Sequence, residues 1–339
     1  MKEFLSKNTD HNPPFEFFYG KRERHQEQRS RATEMEKALL NSPNSEVIYP
    51  EEFTPLPIHI LKVVHSSDYV DFLTSTKEGK GRKYRYPSVF PPRRSSQTRQ
   101  PNGLLGYYSC DMYTPVNSKI ASAALTAATG AYNAAQAVLR GEKTTYAVGR
   151  PPGHHAGYDY MGGYCYINNS AVAAYTLSEQ GRVAVVDVDF HHGNGTEDIF
   201  KTLQAEQEEP KVITISIHAD PNRMFPYFSG HSTTPDTPFW QGINYALGPD
   251  ITNQEYDRVL NKVLRQVDDL RVDYLVVPIG YDTHEADPIG DFKLTTPYYE
   301  QISRRIMELG LPTVFIQEGG YNTELLANNI KSFIRGIED

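Results

Sequence analysis

Residues 183–190, Val-Ala-Val-Val-Asp-Val-Asp-Phe, run an apolar segment directly into acids, and His191-His192-Gly193-Asn194-Gly195 follow at once. Such a run reads as a strand buried on both faces, the pattern of a parallel sheet covered by helices. Side chains alternate along a strand, so Asp187, Asp189 and His191 are expected to share a side. Charged groups at the end of a buried strand are costly unless they are paired or hold a metal ion. An Asp and a His two residues apart can offer an oxygen and a nitrogen to one cation.

The alternation continues on both sides of this run. Strands are expected at 144–149, 183–190, 212–218, 274–280 and 313–318. Helices are expected near 119–139, 195–207, 253–270, 296–309 and 323–335, with another that follows Gly162-Gly163-Tyr164-Cys165-Tyr166 and runs to about Gln180. Such alternation implies βαβ units. The fold class is therefore α/β, a single domain over 1–339 with an open, mostly parallel sheet and helices on both faces. Ahead of it, residues 1–30 read as a polar entry with a turn at Asp10–Pro14, then a helix over 31–41 and a short strand at Val47–Tyr49. His65 opens a turn into a further helix.

One stretch breaks the pattern. Residues 77–99 carry Lys77, Lys80, Arg82, Lys83, Arg85, Arg93, Arg94 and Arg99 against the single acid Glu78, with Pro87, Pro91 and Pro92. It reads as a basic loop insertion over about 77–105, either a solvated loop or a contact surface for a partner subunit or an acidic ligand. Over the whole chain 34 basic against 42 acidic residues leave a net charge of −8, which argues against general nucleic-acid binding. Two cysteines, Cys110 and Cys165, make no disulfide framework and point to a reducing compartment. There is no apolar stretch of about 18 residues and no secretory leader pattern. No membrane association is expected and a cytoplasmic location is, with export lacking a cleavable signal as the alternative.

Ligands of open α/β sheets bind outside the carboxyl ends of the strands. There the sequence delivers His154-His155, then Asp187 to His192, then Tyr281-Asp282-Thr283-His284, then Glu318-Gly319-Gly320-Tyr321. A catalytic zinc takes three protein ligands and keeps one position open. Asp189 and His191 supply two, and Asp282 is the natural third. The pair His154-His155, fixed after Pro-Pro-Gly, suits acid–base work near neutrality, with Asp187 and Asn194 placed to orient the imidazoles. Tyr321 can hydrogen-bond a developing oxyanion.

At these residues the chain resembles the zinc-dependent deacetylases of the arginase–deacetylase fold, the histone deacetylases and bacterial acetylpolyamine amidohydrolases. The motifs are RPPGHHAG (150–157), GGYCYINNSAVAA (162–174), VDVDFHHGNGTEDIF (186–200), GYDTHEADPIGDFKLT (280–295) and EGGYN (318–322). FPPRRSSQTR ahead of GYYS (106–109), HADPNRMFPYFSGH (218–231) and DPIGDFKLT are most similar to the acetylpolyamine branch. The resemblance implies one Zn2+, or Fe2+, at Asp189, His191 and Asp282, and a structural K+ at backbone carbonyls of Asp187, Asp189, His191 and Ile217 with the Ser216 hydroxyl. It implies a narrow tunnel walled by Gly163, Tyr164 and Phe225, with Ile289 near its rim. It also implies a homodimer or dimer of dimers through the 77–105 loop. One position departs. Where that branch has an acid that meets a cationic substrate, this chain has Tyr113, and Asp111 falls where histone deacetylases have a rim aspartate for the peptide backbone.

The expected reaction is metal-assisted hydrolysis of an N-acetyl amide, with His155 taking the proton of water and Tyr321 sharing the oxyanion. Acetylpolyamines or similar small cationic amines are the first expected substrates, and acetyl-lysine in a protein the alternative. Two remoter readings are an arginase-like ureohydrolase, which needs a second metal and more acids, and an inactive module binding acetylated ligands, which should lack a ligand, the histidine pair or the tyrosine.

Overall fold

The computed structural model describes residues 1–7, 10–40, 42, 45–76, 83–91, 98–205, 211–232 and 242–338. The chain opens with β1 (Lys2–Ser6), the hairpin β2 (Glu16–Phe18) and β3 (Lys21–Glu23), α1 (Arg29–Leu39) and β4 (Glu46–Ile48). Next come α2 (Ile58–Val64), α3 (Ser67–Ser75), α4 (Pro101–Tyr107) and α5 (Ile120–Leu139). The alternating part follows: β5 (Thr144–Gly149), α6 (Asn169–Ser178), β6 (Val183–Asp187), α7 (Asn194–Leu203) and β7 (Val212–Ala219). It ends with β8 (Ile243–Leu247), α8 (Asn253–Leu270), β9 (Tyr274–Ile279), α9 (Thr296–Met307), β10 (Thr313–Gln317) and α10 (Leu326–Glu338).

Eight strands form one sheet in the order β4-β1-β5-β10-β9-β6-β7-β8. Every neighbouring pair is parallel. The alternation inside β6 shows why both faces must be covered. Val183 and Val185 enter the apolar core packed by α2, α3, α5 and α6, whereas Ala184 and Val186 enter the core packed by α1, α8, α9 and α10. The alanines of α5 let that helix lie close against its neighbours; Ala123, Ala128, Ala131 and Ala134 are fully buried. α6 and α8 begin at side-chain caps, Asn168 accepting from the Ala171 N–H and Thr252 forming a reciprocal box with Glu255.

Three departures from the sequence reading bear on the site. β1 and β8 extend the sheet at positions where no strand was expected, and β1 carries Lys2, Glu3 and Ser6 among its five residues, which hides its burial. The strand expected over 183–190 stops at Asp187. Within the 77–105 insertion, residues 77–82 and 92–97 lie outside the described residues, and 101–107 form α4. Among the described residues no helix is long and apolar enough to cross a membrane.

Candidate active site

Four adjacent strands at the middle of the sheet, β5, β10, β9 and β6, bring the chemistry-bearing loops side by side. His154 and His155 follow β5, Tyr321 follows β10, Asp282 follows β9, and Asp187, Asp189 and His191 end or follow β6.

Asp187 to His191 keep their two-residue spacing beyond the strand by a different device. The Asp187 Oδ1 accepts the Asp189 N–H at 3.0 Å, and the Asp189 Oδ1 accepts the His191 N–H at 2.8 Å. Each acid thus folds the loop against the next residue but one, as short acidic side chains do in turns. The Asp189 Oδ2 takes the Gly319 N–H at 2.9 Å, and the Asp282 Oδ1 takes the Phe190 N–H at 3.3 Å. A Cβ on Gly319 would come within 2.4 Å of the Asp282 Oδ2 and 2.6 Å of the Asp189 Oδ2, so only glycine lets this loop cradle the two acids.

Asp189, His191 and Asp282 each offer a ligand atom, all within 4.8 Å of one another, and all three residues are buried. The His191 Nδ1 lies 3.1 Å from the Asp282 Oδ2 and 3.5 Å from the Asp189 Oδ1. Burial opposes charge on His191, but the two carboxylates outweigh it and push its pKa up to about 9. A pocket with two buried carboxylates on one imidazole calls for a positive charge, and the oxygen–nitrogen–oxygen donor set suits a zinc-type cation. The residues fit a metal.

The two histidines stand with ring centroids 4.0 Å apart and have opposite electrostatics. The His154 Nδ1 donates to the Asp187 Oδ2 at 2.9 Å. Burial lowers its pKa, but Asp189 and Asp187 raise it more, to about 10, so this imidazole is held as a cation. The His155 Nδ1 donates to the neutral Asn194 Oδ1 at 2.7 Å. Burial, with His154 and His191 beside it, pushes His155 well below the ordinary histidine value, so its Nε2 carries a free lone pair. Asn194 is itself fixed, donating to the Tyr160 hydroxyl at 3.0 Å.

Tyr321 is held from three sides. The Asp287 Oδ2 accepts its N–H at 2.7 Å, the Arg31 guanidinium lies 4.7 Å from its ring centroid, and the Tyr164 ring meets it edge-on at 5.5 Å. Arg31 also donates to the carbonyls of Gly320 at 2.7 Å and Glu318 at 2.6 Å. Burial pushes the Tyr321 phenol well above its ordinary value, so its hydroxyl keeps its proton. Glu318 accepts from the backbone of Gly153 and His154 and from Ser170, which ties the histidine turn to β10.

A cavity of about 380 Å3 reaches this constellation. His155, His191 and Tyr321 line it, as do Gly163, Tyr164, Phe225, Ile289 and Tyr113. Gly163 has a φ of 52°, and a Cβ there would strike the His155 ring, so glycine is what brings the wall against the base. Asp111 lines the adjoining cavity, which shares Tyr19, Tyr113, Phe225 and Tyr227 with this one. Its carboxylate does not line the cavity that reaches Tyr321; it accepts the N–H groups of Gly163 at 2.5 Å and Tyr113 at 2.8 Å, which braces the wall that Gly163 and Tyr113 form. Ser216 and Asp187, two of the groups expected around a monovalent ion, border one small void, and the Ser216 hydroxyl meets the His218 Nδ1 at 2.8 Å.

Sequence reasoning missed the hairpin. Glu16, Phe18, Tyr19, Glu23 and Gln26 all line the cavity, and the Tyr19 hydroxyl meets the Tyr227 hydroxyl at 2.9 Å. The available signal was Tyr19-Gly20, whose φ values of 47° and 74° are those of a tight two-residue hairpin turn. Arg31, Asp287 and Glu27 were also missed, because the partners that tie them to the site, the Gly320 and Glu318 carbonyls, the Tyr321 N–H and Arg150, lie far along the chain.

Comparison with known proteins gives consistent results. Residues 25–337 match the histone deacetylase domain. Acetylpolyamine amidohydrolase 2 of Pseudomonas aeruginosa is 37% identical over 303 residues, 86% of each chain. The acetylpolyamine amidohydrolase of Mycoplana ramosa is 37% identical over 289 residues, 82% of each chain. The crystal structure of an acetylpolyamine aminohydrolase from Burkholderia pseudomallei superposes with a TM-score of 0.90 at 29% identity, covering 99% of this chain and 98% of that one.

Proposed function

The chain belongs to the histone deacetylase domain family and is a hydrolase of acetylated amides, and on that premise we propose that it is a zinc-dependent amidohydrolase of small N-acetylated cationic amines. One observation carries the reading: a buried Asp189–His191–Asp282 group reaches, through His191, a cavity also lined by His155 and Tyr321, with the His154 ring 4.0 Å from that of His155. Zinc, or ferrous iron, held by those three residues supplies Lewis-acid activation of water and of the amide carbonyl.

The chain's own groups do the rest. The neutral His155 Nε2 takes the proton of the attacking water while Asn194 holds its other nitrogen. Cationic His154, fixed by Asp187, contributes positive charge beside it as the tetrahedral anion forms. The Tyr321 hydroxyl donates to that oxyanion. His155 then returns the proton to the leaving nitrogen, the C–N bond breaks, and acetate and a free amine result. A ureohydrolase has less support, because Tyr321 would have no role.

Small amines are preferred over acetyl-lysine in a protein on two grounds. The curated relatives include acetylpolyamine amidohydrolases. Asp111 already holds the Gly163 and Tyr113 N–H groups and lies outside the cavity that reaches Tyr321. Homodimerisation through the insertion and a potassium ion near Asp187 and Ser216 belong to the same reading; exposed Val89 and Phe90 within the insertion support the first. The test is acetate release by the zinc-loaded protein from acetylputrescine, acetylspermidine and an acetyl-lysine peptide. Faster turnover of the small amines is expected. The reverse ranking overturns the substrate assignment, and no release from any of them overturns the deacetylase assignment.

A further inference from the structure

The segment 220–231 leaves the end of β7 and carries Phe225. That ring lines both the active-site cavity and the adjoining one. It meets the His155 ring edge-on with centroids 4.9 Å apart, and a Cβ on Gly163 would lie 3.0 Å from its Cε1. Phe225 therefore sets the width of the active-site cavity beside the general base. The segment has little burial of its own to keep the ring there: Pro221 and Gly230 are its buried residues, and Phe228 is 95% exposed. Two of its side-chain bonds to the rest of the protein, Arg223 to Asp291 and Tyr227 to Tyr19, lie at the exposed surface and contribute little.

The buried ties are at the segment's far end. The His218 Nε2 meets the Gly230 carbonyl at 2.6 Å, and the His192 Nδ1 meets the Ser229 hydroxyl at 3.2 Å. Both histidines are buried, with ring centroids 4.6 Å apart. Gly230 has a φ of 87°, and a Cβ there would lie 2.5 Å from the His192 Cγ, so glycine is what lets the chain close on the imidazoles. A carbonyl only accepts, so the His218 Nε2 carries a proton and donates it. Burial first, then the neighbouring His192, pushes His218 well below the ordinary histidine value, so its Nδ1 accepts the Ser216 hydroxyl at 2.8 Å. Ser216 pairs with Asp187 across β6 and β7, at the carboxyl end of the sheet. His192 is held from another element, its Nε2 donating to the Glu197 Oε2 on α7 at 3.1 Å. Two imidazoles thus connect the rigid sheet and a helix to the loop that carries Phe225.

We propose that His218 and His192 are positioning residues that clamp the loop at Ser229 and Gly230, and so hold Phe225 where the cavity admits an unbranched amine chain and turns away a branched one. The inference rests on the reading above, in which the amine's chain lies in this cavity, and adds to it what keeps the cavity narrow. Neither imidazole lines the cavity, so their effect on substrate choice passes through Phe225. His218 carries the larger share, because its partner is a buried backbone carbonyl that loses its donor if the imidazole is removed.

The experiment compares kcat/KM for acetylputrescine with that for N-(4-amino-2-methylbutyl)acetamide, the same amide with one methyl branch, in the metal-loaded protein. Both substrates meet the same metal content, so their ratio is independent of it. The wild type should favour the straight chain by about tenfold or more, the discrimination one extra carbon commonly yields. His218→Asn, which keeps an amide but withdraws the donor from Gly230, should lower the ratio to about threefold or less, and Phe225→Leu should do the same. His218→Gln, whose Nε2 takes the place of the imidazole Nε2, should restore the wild-type ratio. A merely structural role for His218 would slow both substrates together or make the Gln and Asn variants alike, and either result overturns the proposal. Where the His218 variants do not fold, Ser229→Ala decides, since an unchanged ratio there overturns the clamp and a fall supports it. Equal turnover of the two amides by the wild type overturns the clamp and leaves the deacetylase reading standing. Release from neither overturns the small-amine reading on which it rests.

Discussion

Replacing Tyr321 by Phe removes one oxygen and little else. The ring stays between Arg31, whose guanidinium is 4.7 Å from its centroid, and Tyr164 at 5.5 Å, and the backbone N–H keeps its 2.7 Å bond to Asp287. The lost function is then a single oxyanion donor, which is worth about 100- to 1000-fold in kcat. At roughly 1.4 kcal/mol per tenfold this is about 3–4 kcal/mol of transition-state stabilisation. KM should change by no more than about threefold, because the hydroxyl acts on charge that develops only in the transition state. Metal content and melting temperature should match the wild type. Burial keeps the phenol protonated well past its ordinary range, so the variant should also retain the wild-type pH profile on the alkaline side. The assay is steady-state acetate release with parallel metal analysis. A kcat within about threefold of wild type, with metal bound, would refute the role of Tyr321 as a donor.

Other perturbations test the supports of the site. Stripping the metal with a chelator should abolish turnover and lower the melting temperature, since Asp189 and Asp282 lose the cation that offsets them; a site loaded at about 1000 times its Kd contributes about 4 kcal/mol. Zinc added back should restore both, and an unchanged melting temperature would count against a metal at this group. Arg31→Met strips donors from two buried carbonyls and one partner from Glu27, a loss of about 3–5 kcal/mol by chemical denaturation with a fall in kcat as the Gly320–Tyr321 loop loosens. Loss of stability with normal kcat would show that the loop holds without it. Glu3 is fully buried on β1, and burial together with the Glu338 charge, opposed by Ser45, raises its pKa from 4.5 to about 7. Between those values the folded state binds more protons than the unfolded, so the wild type loses stability as pH rises through that window, by up to about 3 kcal/mol. Glu3→Gln should be more stable than wild type at pH 8 and lose that advantage near pH 4, and an advantage independent of pH would show that Glu3 does not titrate across the window.

The parts of the molecule that could be read from the chain are those whose burial is written as pattern. β5, β6, β7, β9 and β10 announce themselves as apolar runs, and their carboxyl ends lie beside one another because the parallel sheet leaves them no alternative. Asp189, His191 and Asp282 could be picked out for that reason, and the structure brings them within ligand distance. The grounds were partly mistaken, since β6 ends at Asp187 and side-chain-to-backbone bonds, not strand alternation, carry the spacing onward. Asp111 could not be placed from sequence, because the direction of a side chain on an irregular loop is decided by whichever N–H groups tertiary packing presents. Glu16 and Glu23 were invisible for a related reason: three-residue strands have too little periodicity to register, and their shared face exists only once the hairpin closes.

The arrangement of the sheet has a consequence for how the protein acquires activity. β5 sits between β1 and β10, pairing Thr145 with Lys2 on one side and Val314 on the other, so residues far apart in the chain must meet before the histidine turn faces Tyr321. Loops closed over such separations form slowly relative to helices. On refolding, helical signal should therefore recover well before acetate release, and a truncation lacking β10 should keep helices yet never assemble a working centre. Enzyme activity is then a clock for the last long-range step of folding.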